Sequence, residues 1–120
     1  MQDKPAAVWH FYRTPNGRPV VSEEIRDALG DGSPKKELGA LLGRIQYNTA
    51  LPRDTRSLGQ GLYEARLTHT SNEYRLYFAY GPQGDHVLLA LAFHMKGSRG
   101  AQDRVMDRAR DRLADWLDRI

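Results

Sequence analysis

The sequence predicts an α+β domain in which a small, mainly antiparallel sheet packs against helices on one of its faces. Three segments rich in aromatic and aliphatic residues follow one another between residues 62 and 94, with short polar turns between them. Leucine and isoleucine recur at three- and four-residue spacing over residues 38–45, and a second apolar stripe runs through residues 101–120. The predicted order of elements is β-α-α-β-β-β-α.

The N-terminal half supplies one strand and two helices. The segment AVWHFYR, residues 7–13, has the aromatic content of a strand, and the TPNGRP that follows is a turn signal. Ser22 is expected to cap the first helix, where two glutamates occupy the first turn. Ser33 and Pro34 begin the second helix. Residues 50–61 are expected to form a loop.

The C-terminal half supplies three strands and a helix. The strands are predicted over residues 62–67, 74–80 and 87–94, and GPQGD at residues 81–85 connects the last two as a hairpin. Residues 101–120 form the last helix, whose alternating aspartates and arginines belong to its solvated side.

Length and composition limit the possible classes of protein. The chain has 120 residues, which suits one domain over residues 1–120, and its net charge of +3 permits a polyanionic partner without requiring one. Cysteine is absent, so there is no disulfide or thiolate metal site, and no metal or cofactor is predicted. No apolar run approaches the roughly 18 residues that span a bilayer. The N-terminus lacks the pattern of a signal peptide, and we expect a cytoplasmic protein without membrane contact.

Side-chain alternation assigns the strand residues to two faces. The face expected to contact the helices carries Tyr74, Leu76, Phe78, Leu89, Leu91 and Phe93. The face expected to be open to water carries Glu64, Arg66, Arg75, Tyr77, His94 and Lys96. Small alanines between these polar residues would make that second face a shallow groove.

The arginines inside the strands permit two interpretations. A water-facing antiparallel sheet commonly carries charged residues, and Glu64 would then be a cross-strand partner for an arginine. A phosphate-binding site would also place guanidinium groups there, because their planar fork engages two phosphate oxygens at once. Alternation alone leaves both interpretations open.

A motif runs through the predicted strands. It consists of Leu58, then Gly61-Leu62-Tyr63-Glu64, Arg66, Tyr74-Arg75, and Phe93 followed by Lys96. On these residues, and on the N-terminal FYRTPNGRPV, the chain resembles the HigB-type toxins of the RelE/ParE superfamily, including their phage-derived relatives. The family often has two adjacent lysines after the phenylalanine, whereas here His94 and Met95 precede Lys96.

The resemblance implies a toxin of a type II toxin–antitoxin pair. Such toxins typically cleave mRNA, often on the ribosome, and are silenced by a helix-turn-helix antitoxin. Two alternatives stay open: a ParE-like toxin that inhibits DNA gyrase and cleaves nothing, and a non-catalytic phage protein that keeps the fold.

For RNA cleavage without a metal ion, four residues are candidates for catalysis. Arg75 and Arg66 would stabilise charge on the scissile phosphate, with Arg75 the stronger candidate. His94, with an ordinary pKa of about 6.5, would act as base or acid. Lys96 would anchor the phosphate or take part in acid/base chemistry. Which of His94, Lys96 and Glu64 is the acid and which is the base stays open.

Three further residues are assigned to RNA binding. Glu64 would orient an arginine, Tyr77 would stack on a base or donate to phosphate, and Arg99 in the Gly-rich KGSRG segment would touch the RNA backbone. For Arg99 the alternative is an ordinary flexible connector.

Overall fold

The protein is described here by a computed structural model that covers residues 7–81 and 86–119. Its strands and helices, in chain order, are β1 Val8–Phe11, α1 Val20–Leu29, α2 Ser33–Gln46, β2 Thr55–Gly59, β3 Leu62–His69, β4 Asn72–Tyr80, β5 Val87–Met95 and α3 Arg99–Asp118. The predicted hairpin turn at residues 81–85 lies almost wholly outside the described residues.

The strands form one sheet in the order β1-β5-β4-β3-β2. β1 runs parallel to β5, whereas the three other pairings are antiparallel. The predicted α+β class with a mainly antiparallel sheet is therefore confirmed.

Strand β2 is an addition to the predicted order and lies inside the predicted loop over residues 50–61. It is short, lacks apolar alternation and pairs irregularly with β3 near Gly59. The turn that follows holds Gly59, Gln60 and Gly61 at positive φ, a conformation that favours glycine. A strand of this kind has no local signature, because only its pairing with β3 makes it a strand.

The helices pack on both faces of the sheet, so the prediction that they pack on one face is wrong. On one face the Nε1 of Trp9 donates to the carbonyl of Leu42 in α2 at 3.0 Å, and Trp9 packs edge-on against Phe78. On the other face the Nε2 of Gln102 in α3 donates to Glu64 at 3.3 Å. We call the first the aromatic face and the second the arginine face.

A β-bulge in β5 changes the predicted alternation. Tyr77 pairs with Ala92 and Phe78 pairs with Ala90, which leaves Leu91 as the extra residue. C-terminal to the bulge the predicted faces hold. N-terminal to it they exchange, so Leu89 pairs with Ala79 on the arginine face, opposite to its predicted side.

Side chains from two helices bind backbone groups beside this bulge. The carboxylate of Glu24 in α1 accepts the Phe93 N–H at 3.1 Å. Arg112 in α3 donates to the Leu91 carbonyl at 2.8 Å and to Glu24 at 2.7 Å. These contacts satisfy polar groups that the bulge removes from the strand ladder, and they connect α1 to α3.

The helix N-termini differ in detail from the predictions. α1 begins at Val20, so Ser22 lies within its first turn and Pro19 occupies the cap position. α2 begins at Ser33 with Gly32 before it. α3 begins two residues earlier than predicted, because the Ser98 hydroxyl accepts the Ala101 N–H at 3.1 Å and caps the helix.

Candidate active site and nucleic-acid interface

Strand register brings the predicted site residues together on the arginine face. Arg66 pairs with Arg75, and Arg75 pairs with His94 on its other side. Glu64 pairs with Tyr77. Lys96 continues the ladder beyond β5, since its N–H donates to the carbonyl of Glu73 at 2.7 Å.

The arginine face is covered and not open to water, which corrects the expectation drawn from alternation. Glu64 and Tyr77 are 0% exposed and Arg75 is 7% exposed. The reason is that α3 packs over this face with its apolar stripe, in which Val105 and Ala109 are buried. Among the predicted residues, Arg66 and Lys96 keep substantial exposure, with side chains 37% and 43% accessible.

The carboxylate of Glu64 is the centre of the site. Its Oε1 accepts the Nε of Arg66 at 3.1 Å and lies 3.5 Å from Nη2 of Arg56. Its Oε2 accepts the amide of Gln102 and lies 3.6 Å from Nε of Arg75. Burying a charge without partners is costly, and these three arginines offset that cost. The predicted role of Glu64, holding an arginine in place, agrees with this geometry.

The guanidinium of Arg75 is hydrogen-bonded to other groups of the protein. Its Nη2 donates to Glu73 at 3.0 Å and its Nη1 to the Tyr74 carbonyl at 3.3 Å. Its buried Nε has no hydrogen-bond partner in the described part of the chain, because 3.6 Å to Glu64 is an electrostatic contact only. The hydrogen bond from Arg75 holds the pKa of the Glu73 carboxyl below its usual range.

The order of the two arginines is therefore reversed relative to the sequence analysis. Arg66 uses its Nε on Glu64, and its two Nη groups have no hydrogen-bond acceptor among the described residues. It is also the more exposed of the two. Arg66 is the better candidate for direct contact with phosphate, and Arg75 is a candidate for positioning Glu64.

Tyr77 and His94 form a stacked, hydrogen-bonded pair. Their ring centroids are 5.6 Å apart, and the Tyr77 hydroxyl lies 3.0 Å from Nε2 of His94. Burial, reinforced by Glu64, raises the pKa of Tyr77 to about 12. Burial, reinforced by Arg75, lowers the pKa of His94 below 6.5. His94 is therefore neutral at pH 7, and Tyr77 is too deeply buried to stack on a base.

A second cationic region lies beside this pair, where β2 meets the start of α3. Arg56, Lys96, Arg99 and Gln102 line an open cleft of about 520 Å³, which we call the α3 cleft. Arg99 lies in the first turn of α3 and not in a free connector.

Sequence reasoning missed Arg56 and Gln102. Arg56 is opposite Glu64 in the β2–β3 pairing, so recognition of β2 as a strand would have identified it. Gln102 had no sequence signal, because its contact with Glu64 depends on how α3 docks.

The part of the chain that the structure describes has neither a metal-ligand cluster nor a membrane-spanning helix. Over residues 7–81 and 86–119, no group of three or more histidine, aspartate or glutamate side chains is placed to hold a metal ion. No helix in these ranges is long and apolar enough to cross a membrane.

Comparison of the sequence with protein-family models gives no match, and comparison with curated proteins gives none either. The residues and geometry described above are therefore the basis for the function proposed below.

Proposed function

We propose that this protein is a HigB-type toxin of the RelE/ParE superfamily, which cleaves mRNA without a metal ion and so inhibits translation. One observation carries the proposal. Arg66 is held through its Nε by a buried carboxylate that it shares with Arg56, and Arg56 lines the α3 cleft together with Lys96 and Arg99. A guanidinium fixed in this way is preorganised to bind a phosphodiester.

In the proposed reaction the ribose 2′-oxygen attacks the adjacent phosphorus. The bond from phosphorus to the leaving 5′-oxygen breaks, which gives a 2′,3′-cyclic phosphate and a 5′-hydroxyl. The 2′-hydroxyl proton goes to a base, and the leaving oxygen receives a proton from an acid. Because both protons are handled by side chains, this chemistry needs no metal ion.

The side chains divide these tasks by their charge and exposure. Arg66 stabilises the charge that develops on the phosphate. His94 has a lowered pKa, so it is neutral at pH 7 and suited to accept the 2′-hydroxyl proton. Lys96 is exposed and cationic, suited to donate a proton or anchor a neighbouring phosphate. Arg99 contributes backbone contacts from the same cleft.

The proposal includes partners and a location. The substrate is mRNA, engaged on the ribosome, and the partner is a co-encoded helix-turn-helix antitoxin. The protein would act in the cytoplasm, where both are found. These assignments rest on the resemblance of the sequence to the toxin family.

A specific observation favours a second candidate function, inhibition of DNA gyrase without cleavage. Tyr77 is fully buried and His94 is only partly accessible, so this pair is less exposed than the cationic side chains of Arg56, Lys96 and Arg99. A toxin that only binds its target would need the cationic surface and not the buried pair.

Controlled expression followed by mapping of transcript ends separates the two candidates. We expect new ends in wild-type cells and a loss on the order of 100- to 1000-fold in cleavage rate for Arg66→Ala, the usual cost of a lost transition-state donor. Arg66→Lys should also be impaired, because lysine lacks the planar fork. Arg26→Ala is the matched control, since Arg26 is an exposed arginine on α1 whose ion pair is a distant 3.9 Å contact with Asp27.

Gyrase supercoiling is assayed in parallel on the same variants. Inhibition of supercoiling by the wild-type protein without new transcript ends would replace the nuclease proposal with the gyrase proposal. Equal cleavage by wild type and Arg66→Ala would remove Arg66 from the site.

The antitoxin is tested by co-expression with the adjoining helix-turn-helix reading frame in a host where the free protein arrests growth. We expect growth to recover and a stable complex to purify. Continued arrest without a complex would contradict this partner.

A further inference from the structure

An open cleft of about 470 Å³ lies between α2 and the C-terminal end of β3. We call it the α2–β3 cleft. Four arginines line it: Arg44, Arg53, Arg66 and Arg75. The register of β2 with β3 ends at Ala65, and one further backbone hydrogen bond joins the Arg66 N–H to Asp54, so the β3 edge after Arg66 has no paired strand.

The carboxylates in this cleft already have cationic or N–H partners. Asp54 accepts the Arg44 Nε at 3.2 Å and the Leu51 N–H at 2.9 Å. Glu73 accepts Arg75. Glu37 contacts Nδ1 of His69. Asp54 and Glu73 are therefore each paired with an arginine, and Glu37 is hydrogen-bonded to His69.

Two arginines of the cleft retain binding capacity. Arg53 is exposed and has no ion-pair or hydrogen-bond partner among residues 7–81 and 86–119. The Nη groups of Arg66 have no acceptor in the same part of the chain. The cleft therefore presents the exposed guanidinium of Arg53 and the Nη groups of Arg66 to one space.

The backbone around Arg53 is anchored. The carbonyl of Asp54, the next residue, accepts the Arg66 N–H at 2.8 Å, and Asp54 itself closes the turn onto Leu51. This holds the chain at Arg53 beside Arg66. An anion that contacts both side chains would meet a partly preorganised site, which reduces the ordering cost of binding.

We propose that the α2–β3 cleft binds a backbone phosphate of single-stranded RNA, with Arg53 as a binding residue that neither alternation nor the motif identifies. This deepens the proposed function and rests on it, because Arg66 would be shared between this phosphate and the scissile one. Arg66 lines this cleft and shares the Glu64 carboxylate with Arg56 of the α3 cleft, so a chain with a charge at every unit can reach both clefts. Single-stranded RNA has that regularity and the phosphate geometry that a guanidinium fork matches.

The test measures binding of a fluorescent 2′-O-methyl oligoribonucleotide, which lacks the attacking 2′-hydroxyl and is not cleaved. Affinity is followed by anisotropy over a range of salt concentrations. Each phosphate contact on a single strand contributes about 0.7 to the slope of log K against log salt. Arg53→Ala should reduce the slope by about that amount and weaken binding on the order of five- to tenfold at low salt. Arg26→Ala should behave as wild type.

The outcomes separate this inference from the proposed function. A slope for Arg53→Ala equal to that of wild type would overturn the inference, and transcript cleavage by the wild-type protein would still support the function. A reduced slope in a protein that cleaves no RNA would support the cleft and contradict the nuclease. Displacement of the probe by polyglutamate as effectively as by unlabelled RNA would also overturn the inference, since the ligand would then be an acidic protein segment.

Discussion

Both faces of the sheet are buried, but different interactions stabilise the buried side chains on each face. On the aromatic face, Phe78 lies 5.6 Å from the rings of both Trp9 and Tyr63, and these contacts need only apolar complementarity. On the arginine face, Glu64 and Arg75 are almost fully inaccessible, and each depends on charged or polar partners.

The difference teaches that burial alone does not predict what a substitution costs. Removing an aromatic ring leaves a cavity whose cost depends on how far its neighbours relax. Removing one member of a buried ion pair leaves the other charge desolvated and without compensation. Truncating Arg75 is therefore expected to cost stability, because α3 covers the face on which Arg75 lies.

The largest effect is expected for Glu64→Ala. The change removes the buried carboxylate that Arg56, Arg66 and Arg75 share and leaves Glu73 as the remaining counter-ion of Arg75. We expect a loss of about 3 kcal/mol in the free energy of unfolding. Urea denaturation followed by circular dichroism measures it. Asp27→Ala is the control, because its carboxylate is exposed and should change stability by no more than about 0.5 kcal/mol. A loss below about 1 kcal/mol for Glu64→Ala would mean that the two faces do not differ in this way.

A double substitution measures the energetic coupling between the buried charges of Glu64 and Arg75. Glu64→Leu combined with Arg75→Leu removes both buried charges, so the double variant should be more stable than Glu64→Leu alone by about 1–3 kcal/mol. The same denaturation experiment measures the coupling between the two sites. Simple additivity of the two single losses would show that the carboxylate and Arg75 are not coupled.

A smaller effect is expected for Tyr77→Phe. The substitution keeps the ring stacked on His94 but removes the hydroxyl that lies 3.0 Å from Nε2 of His94. A polar atom left without its partner typically costs about 1–3 kcal/mol. Thermal denaturation compares it with Tyr47→Phe, a change at an exposed tyrosine that should be close to neutral. Equal melting temperatures for the two variants would contradict this role of the hydroxyl.

The smallest effect is a dependence of stability on pH. Burial holds the pKa of folded His94 below its unfolded value of about 6.5. As the pH falls below 6.5, the unfolded state therefore takes up a proton before the folded state does. The contribution of His94 to the free energy of unfolding is complete above about pH 6.5. It is lost as the pH falls towards the folded pKa, by at most about 1.4 kcal/mol per pH unit.

Denaturation of His94→Gln between pH 5 and pH 7.5 measures this dependence. Below pH 6.5 the stability of the variant should decline less than that of the wild-type protein. His10→Gln is the control, because His10 is exposed on β1. If both variants keep the same pH profile as wild type, the His94 site does not contribute to the decline.

The sequence by itself determined most of the secondary structure and which residues of β3 and β4 lie on the arginine face. Alternation along a strand is a local property of the backbone, so it placed Glu64, Arg66, Arg75 and Tyr77 on one face before any tertiary contact was known. The apolar spacing of α2 and α3 was equally local.

Only the tertiary structure decided whether the arginine face is exposed. Coverage by α3, the bulge at Leu91 and the pairing of Arg56 with Glu64 each depend on contacts between residues distant in sequence. The charge of an arginine is encoded locally, whereas its solvation and its free N–H groups depend on what packs over it. For that reason the sequence named both Arg66 and Arg75, and the fold buried Arg75 and left Arg66 available for binding.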